Sequence, residues 1–274
     1  MTRRGSYLLT AAAASVFVLL NWAFADGLFS LDNLWVSDAY TESTVFTYLM
    51  LAVIIVAGIY QAETRTGDQT MQMPEAQPKT AGQTDDPALW KLIMGNVYLA
   101  LLWLPIRFFI GREWLAAGEH KLRDSAWMDG GTALQGYWER AVAVPDGGRP
   151  AITYGWYRDF LQYMLDHEWY SWFGPVIAVG EFLVGAALIV GALVGIAAFF
   201  GTLMNFNFML AGSASSNPVL FGISVFLVLG WKVAGFWGLD RYLVPSVGAP
   251  WKAGSLFHHE GVTVMGEQHE PLRA

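Results

Sequence analysis

The chain contains no cysteine, which excludes disulfides, thiolate-held zinc, iron–sulfur clusters and dithiol redox chemistry carried by its own side chains. Its five histidines (His120, His167, His258, His259 and His269) all lie outside the apolar runs, so none is placed to hold a haem between membrane helices. Charge is scarce as well: 14% of residues are charged, against about a quarter in soluble domains, and the acidic ones fall almost wholly outside the apolar runs. The Lys and Arg residues are scattered and form no basic patch, so nucleic acid is not a partner. No metal site is expected. Any electron transfer would draw on a quinone, or on a metal or flavin held by a partner subunit.

What is abundant is apolar sequence. Of the 274 residues 54% are hydrophobic, and 13 Trp and 29 Gly accompany them, a composition that reads as an all-α integral membrane protein. A bilayer core about 30 Å thick requires about 20 helical residues per span. Single runs at 7–25, 43–60, 92–117 and 218–239 meet this. The run 171–212, as one helix, would be about 60 Å long, twice the membrane, so it predicts two spans with a turn at 191–195. Residues 1–25 read either as a retained first span or as a signal peptide cleaved after Ala23-Phe24-Ala25. The remaining topology is the same under both.

Arg3 and Arg4 precede the first run and the acidic segment 26–42 follows it, so the N-terminus is expected in the cytoplasm. Six spans return the C-terminus to the same side of the plasma membrane. Lys121, Arg123, Arg140, Arg149 and Arg158 then fall in an outer loop, against the positive-inside trend, which fades in loops of this length. The chain divides into a two-span unit (1–60), a flexible cytoplasmic linker rich in Gln, Thr, Asp and Pro (61–88), a four-helix membrane core (89–245) with an outer aromatic loop (118–171), and a polar tail (246–274).

Ionisable groups at membrane depth are costly and therefore informative. Arg107 and Glu181 each lie about ten residues from the outer end of their spans, a placement that predicts an ion pair near mid-bilayer. Two readings stand: a helix-packing pair, or a polar site for a quinone headgroup, an oxyanion or a proton. Arg107, Gly111, Trp114, Gly118 and Lys121 share one helical face, with small residues that also suit close helix packing. Gly201 and Asn205 share another, with Met204 and Asn207 beside it. The two Asn either complete the polar site or bond between helices. Lys232 reads as a snorkelling side chain. Segment 156–172 predicts a short interfacial helix with Arg158, Asp159, Asp166 and Glu168 towards water. The loop aromatics, Trp127 among them, serve as a membrane belt, a lid or a docking surface. His258-His259-Glu260 lacks the scaffold and spacing of a metal site.

Residues 107–127, R-F-F-I-G-R-E-W-L-A-A-G-E-H-K-L-R-D-S-A-W, resemble the opening signature of the DoxX/DoxD family, in which an Arg, a Gly, a small-Gly step, Lys-Leu and a closing Trp recur. Glu181 with Gly185, Gly191, Asn205 and the stretch Gly235 to Tyr242 continue the likeness, which covers about residues 90–245. The resemblance implies a DoxX-like four-helix transmembrane bundle, here extended by two N-terminal transmembrane helices. It also implies a link to thiosulfate:quinone oxidoreductase, whose membrane subunit works with a second subunit. The resulting expectation is a membrane subunit of a quinone-linked redox complex. Arg107 and Glu181 would be catalytic, and Lys121, Trp114, Trp127, Asn205 and Asn207 would contact substrate or quinone. Membrane lipid, a quinone and a partner subunit carrying the redox cofactor are the implied partners. The rival reading is a non-catalytic subunit that anchors or assembles such a complex. A small-solute transporter ranks below both, because two similar halves with broken helices are not visible.

Overall fold

The computed structural model describes residues 2–24, 42–64, 86–214 and 216–247, and these are helical with no strand. His258-His259-Glu260, segment 26–41 and most of the linker and tail lie outside the described residues. Two long apolar helices, α1 (Arg3–Phe24) and α2 (Glu42–Thr64), pack against each other. A Cβ at Gly58 would overlap the Thr10 side chain, so the glycine is what lets the two backbones approach. Polar side chains buried on α1 are satisfied within their own turn: Thr10 donates to the Ser6 carbonyl at 2.8 Å and Asn21 to that of Phe17 at 2.8 Å. Arg3 and Tyr7 both reach Glu63, closing the start of α1 onto the end of α2.

Helix α2 runs beyond residue 60, where the linker was expected to start. Gln61 is buried and donates to the Tyr98 carbonyl at 3.1 Å, tying the two-span unit to the core. The expected span 92–117 is also revised. A short α3 (Ala88–Gly95) is followed by a 3-10 segment (Val97–Leu102) and α4 (Trp103–Arg123), and the pair is bent by 65°. The break sits at Asn96, whose extended backbone leaves the helix while its side chain accepts from the Tyr98 N–H at 2.8 Å. Helix α4 then continues six residues past 117, the end read from hydropathy.

The loop expected at 118–171 is mostly helical. After α4 come α5 (Ser125–Met128), α6 (Thr132–Val142) and α7 (Gly155–Asp166), which form a cap over one end of the bundle. Leu134, Trp138 and Ala141 on α6, with Tyr157, Leu161 and Met164 on α7, recur at i, i+4, i+7 and meet in a small core of their own. Gly131 turns the chain into α6 with φ +65°, against the Tyr170 carbonyl. The helix expected over 156–172 ends at Asp166: Glu168 (φ 56°) turns the chain into the next helix at Tyr170, while Asp159, Asp166 and Glu168 are exposed and Arg158 partly so.

Helix α8 (Tyr170–Val190) lies antiparallel to α4, the most extensive helix pair in the structure. It ends at the expected turn, where Gly191 (φ +71°) and Leu193 (φ 49°) reverse the chain into α9 (Val194–Leu210). Helix α10 (Asn217–Leu229) packs on α9. The span expected at 218–239 breaks at Gly230, where the Trp103 ring fills the space of a side chain. Short helices α11 (Trp231–Ala234) and α12 (Asp240–Ser246) follow. Lys232 is exposed, as a snorkelling lysine would be, with its ammonium 6.0 Å from the Trp231 ring.

The interior is apolar (Trp103, Phe109, Trp114, Leu188, Leu227), and so is much of the surface: Leu49, Val53, Val56, Leu183, Ile196, Phe199 and Phe206 are exposed. Helices apolar on both sides belong in lipid. Among the described residues α1, α2 and α8 are long and apolar enough to cross a membrane, and the bent α3–α4 pair makes a fourth. Helices α9 and α10 are apolar but shorter, at 17 and 13 residues. The chain is an all-α protein of membrane type.

Candidate functional site

The face of α4 foreseen in the sequence is real. Arg107, Gly111, Trp114 and Gly118 are buried along it, and Lys121 is mostly covered. What it meets is set by glycine. A Cβ at Gly118 would overlap the backbone at Phe182, and one at Gly185 would overlap the backbone at Leu115. The helices can therefore run in contact only in one register. Gly111 lies against Leu188, Gly118 against Glu181 and Phe182, and Arg107 against Gly191.

That register overturns the predicted Arg107–Glu181 pair. Gly118, which faces Glu181, is about 16 Å along the helix from Arg107. The partner of Glu181 is Lys121, whose Nζ donates to Oε2 at 2.5 Å with the carboxylate 1% exposed. Ending α4 at residue 117 had set the outer ends of the two helices about two turns out of step. Arg107, buried to 1%, donates instead to the carbonyls of Ala234 (3.1 Å) and Trp237 (2.8 Å), beyond the last long helix. Next to it the Asp240 carboxylate accepts from the N–H groups of Leu193 (2.5 Å) and Val194 (2.9 Å), and the Asp240 N–H donates to the Gly191 carbonyl at 2.8 Å. Arg107 and Asp240 together close the α8–α9 turn onto the chain after α11. Sequence reasoning missed Asp240, because it caps a helix that begins 46 residues earlier and no local pattern marks that.

At the cap end, Lys121 and Glu181 border a cavity of about 490 Å³, between α4, α8, α9, α10 and the cap. Five other residues matter to its chemistry. Trp127 from α5 lies under the Lys121 ammonium, 5.0 Å from its ring. Tyr137 and Arg140 come from α6. Asn205 comes from α9 and is fully buried, with neither Nδ2 nor Oδ1 bonded to a described residue. Trp114 also lines the cavity, packed edge-on against Gly201, and its Nε1–H is likewise unpartnered. A buried polar group without a partner costs about 1–3 kcal/mol. Those three atoms are covered by packed protein, while Lys121, Arg140 and the rings of Trp127 and Tyr137 line the open space that a guest would enter.

Five of the seven residues singled out from sequence, Glu181, Lys121, Trp114, Trp127 and Asn205, are thus brought together. Arg107 and Asn207 are not. Asn207 turns to the cap, donating to the Leu203 carbonyl at 2.8 Å and accepting from the Tyr157 hydroxyl at 3.1 Å. Burial, and Tyr137 nearby, push the Tyr157 phenol up to about 12. Burial pushes Tyr137 up as well, opposed by the Arg140 charge. Tyr137 and Arg140 were missed as cavity residues, although the amphipathic period of α6 marks the helix that carries them.

The cavity therefore joins one buried ion pair, a second cation and unpaired donors and an acceptor within an otherwise apolar bundle. It suits a small, flat or compact ligand bearing oxygen acceptors; its ammonium can hand a proton to such a ligand, and its carboxylate can take one up and pass it on. Searches of protein families, curated proteins and solved structures find no match to this chain.

Proposed function

We propose that the chain is the membrane subunit of a quinone-linked redox complex, and that the cavity beside Lys121 and Glu181 receives the quinone headgroup. The observation that carries this reading is a cavity of about 490 Å³ beside the buried Lys121–Glu181 ion pair, with Arg140, Trp127 and Tyr137 in its wall. A quinone ring offers two carbonyl oxygens to the Lys121 ammonium and the Arg140 guanidinium, and a flat face to Trp127 and Tyr137. Reduction to the quinol takes two electrons and two protons. Lys121 and Glu181 are the groups placed to pass protons to a ring oxygen.

The resemblance to the DoxX/DoxD family suggests the electron source. Two thiosulfate ions joined through a new sulfur–sulfur bond release the two electrons that the quinone accepts, and a partner subunit would carry the redox cofactor between them. Arg3 and Arg4 support a plasma-membrane orientation with both termini cytoplasmic, which would put the cap and cavity on the outer face. A second reading has its own support: Lys121 and Glu181 already neutralise each other, as in a subunit that only anchors a complex.

Titration separates the two. Full-length chain in lipid nanodiscs is titrated with a decyl-substituted benzoquinone while tryptophan fluorescence is followed. Saturable quenching, lost in Asn205→Leu, is the expected result; quenching that never saturates, or is the same in the variant, refutes the headgroup site. Thiosulfate-dependent quinone reduction with the partner subunit present then tests the reaction.

A further inference from the structure

We infer that a second, apolar chamber next to the cavity takes the aliphatic chain of the same ligand, so that the site selects chain-bearing quinones over bare headgroups. This rests on the reading of the polar cavity as a headgroup site. The chamber holds about 200 Å³ between α6, α7, α8 and α9. Tyr137 and Phe208 line both spaces and stand edge to face with centroids 6.5 Å apart, so a single pair of rings separates the polar cavity from the apolar chamber. The two volumes together fall in the range of small-molecule sites, about 300–1,000 Å³.

The lining chemistry differs sharply across that pair of rings. On the chamber side the walls are Leu161, Met164, Ile177 and Met204. Of its polar side chains, Tyr157 donates to Asn207 Oδ1 and Asn207 donates to the Leu203 carbonyl, so both are engaged within the protein. A soluble oxyanion gains nothing from such a space, whereas a hydrocarbon chain does.

The chamber also reaches the surface. Phe160 and Leu203 line it while remaining 46% and 44% exposed. Leu203 continues the apolar exposed face of α9 formed by Phe199 and Phe206. A ligand dissolved in the bilayer therefore has an apolar path past Leu203, with its polar head leading to Lys121 and Asn205.

The test compares a methyl-substituted with a decyl-substituted benzoquinone on wild type and on Ala211→Phe, which fills the chamber from its buried wall. Each buried methylene is worth about fourfold in affinity. Partition into the nanodisc is common to both proteins and cancels. The expected result is that A211F loses about tenfold or more for the decyl compound and nothing for the methyl compound. Equal losses, or none, overturn the chamber and leave the headgroup site standing; no saturable binding of either compound to wild type overturns both. Should A211F fail to fold, a decyl quinone with a photoreactive diazirine at its chain end decides on wild type. Labelling of α7 and α9 at Leu161, Met164 or Met204 supports the chamber, and labelling confined to lipid or to α1 and α2 refutes it.

Discussion

Lys121 meets Glu181 at 2.5 Å across the α4–α8 interface, one helical turn beyond the glycine that lets the two backbones touch. Position and chemistry are linked here: Gly118 and Gly185 set the register, and the register decides which cation faces the carboxylate.

Removing one partner leaves the other buried and uncompensated. Lys121→Met or Glu181→Gln should lower the apparent stability in detergent, by about 3–5 kcal/mol for Lys121→Met, which strands the buried carboxylate, and less for Glu181→Gln, which strands a partly exposed ammonium. The double variant Lys121→Met/Glu181→Leu should recover most of this, because an apolar pair of similar volume suits the site. Thermal unfolding of the four proteins checks the cycle. Additive losses would show that the two side chains do not depend on each other.

Asn205 separates a binding role from a packing role. Its amide has no described partner, so Asn205→Leu should leave thermal stability unchanged or raise it while abolishing saturable quinone binding. A residue serving interhelical bonding would give the opposite pattern, with about 1–3 kcal/mol of stability lost.

Most of the site was legible in the sequence because the α4 face follows from spacing alone: Trp114, Gly118 and Lys121 lie on one line whatever the helix packs against. Pairing was not legible, since hydropathy places a helix end only to within a turn or two, and here the polar run Glu119, His120, Lys121, Arg123 continues the helix where an apolar-span criterion stops it. The cap was half seen. Segment 156–172 was readable as helical from its charged and aromatic pattern, while the apolar period Leu134, Trp138, Ala141 on α6 was hidden by the polar composition around it. Asp240 and Arg107 act on backbone groups far away in sequence, a relation no window of residues contains.

Arg107 tests the corrected register. Arg107→Met removes the donors to the Ala234 and Trp237 carbonyls, and each buried carbonyl left unpaired costs about 1–3 kcal/mol. Unfolding temperature should fall, yet quinone affinity of the folded protein should match wild type, because the cavity's wall on α4 starts at Glu113 and Trp114, about 10 Å along the helix from Arg107. Loss of affinity in a folded Arg107→Met protein would return Arg107 to the site.

Glycine positions offer a paired comparison. At Gly118 a side chain collides with the backbone at Phe182, which cannot yield without parting the helices, so Gly118→Leu should cost about 3 kcal/mol or more and lose the Lys121–Glu181 contact. At Gly222, exposed within α10, a Cβ meets nothing within 4 Å. Gly222→Ala should stabilise by about 0.5–1 kcal/mol through helix propensity alone. Equal effects at the two positions would contradict the packing described.

Alkaline pH reports on the cap. An unfolded tyrosine ionises near pH 10, and burial holds Tyr157 un-ionised up to about 12. A raised phenol pKa means the folded state keeps its proton longer, so the stability it contributes is intact below pH 10 and is lost as pH climbs from 10 towards 12. Among 11 tyrosines, tyrosinate absorbance should therefore show a late component that Tyr157→Phe removes. The same variant gives up the 3.1 Å bond to Asn207 and should cost about 0.5–1.5 kcal/mol at neutral pH. A titration complete near pH 10 in the folded wild type would place Tyr157 in water rather than between α7 and α9.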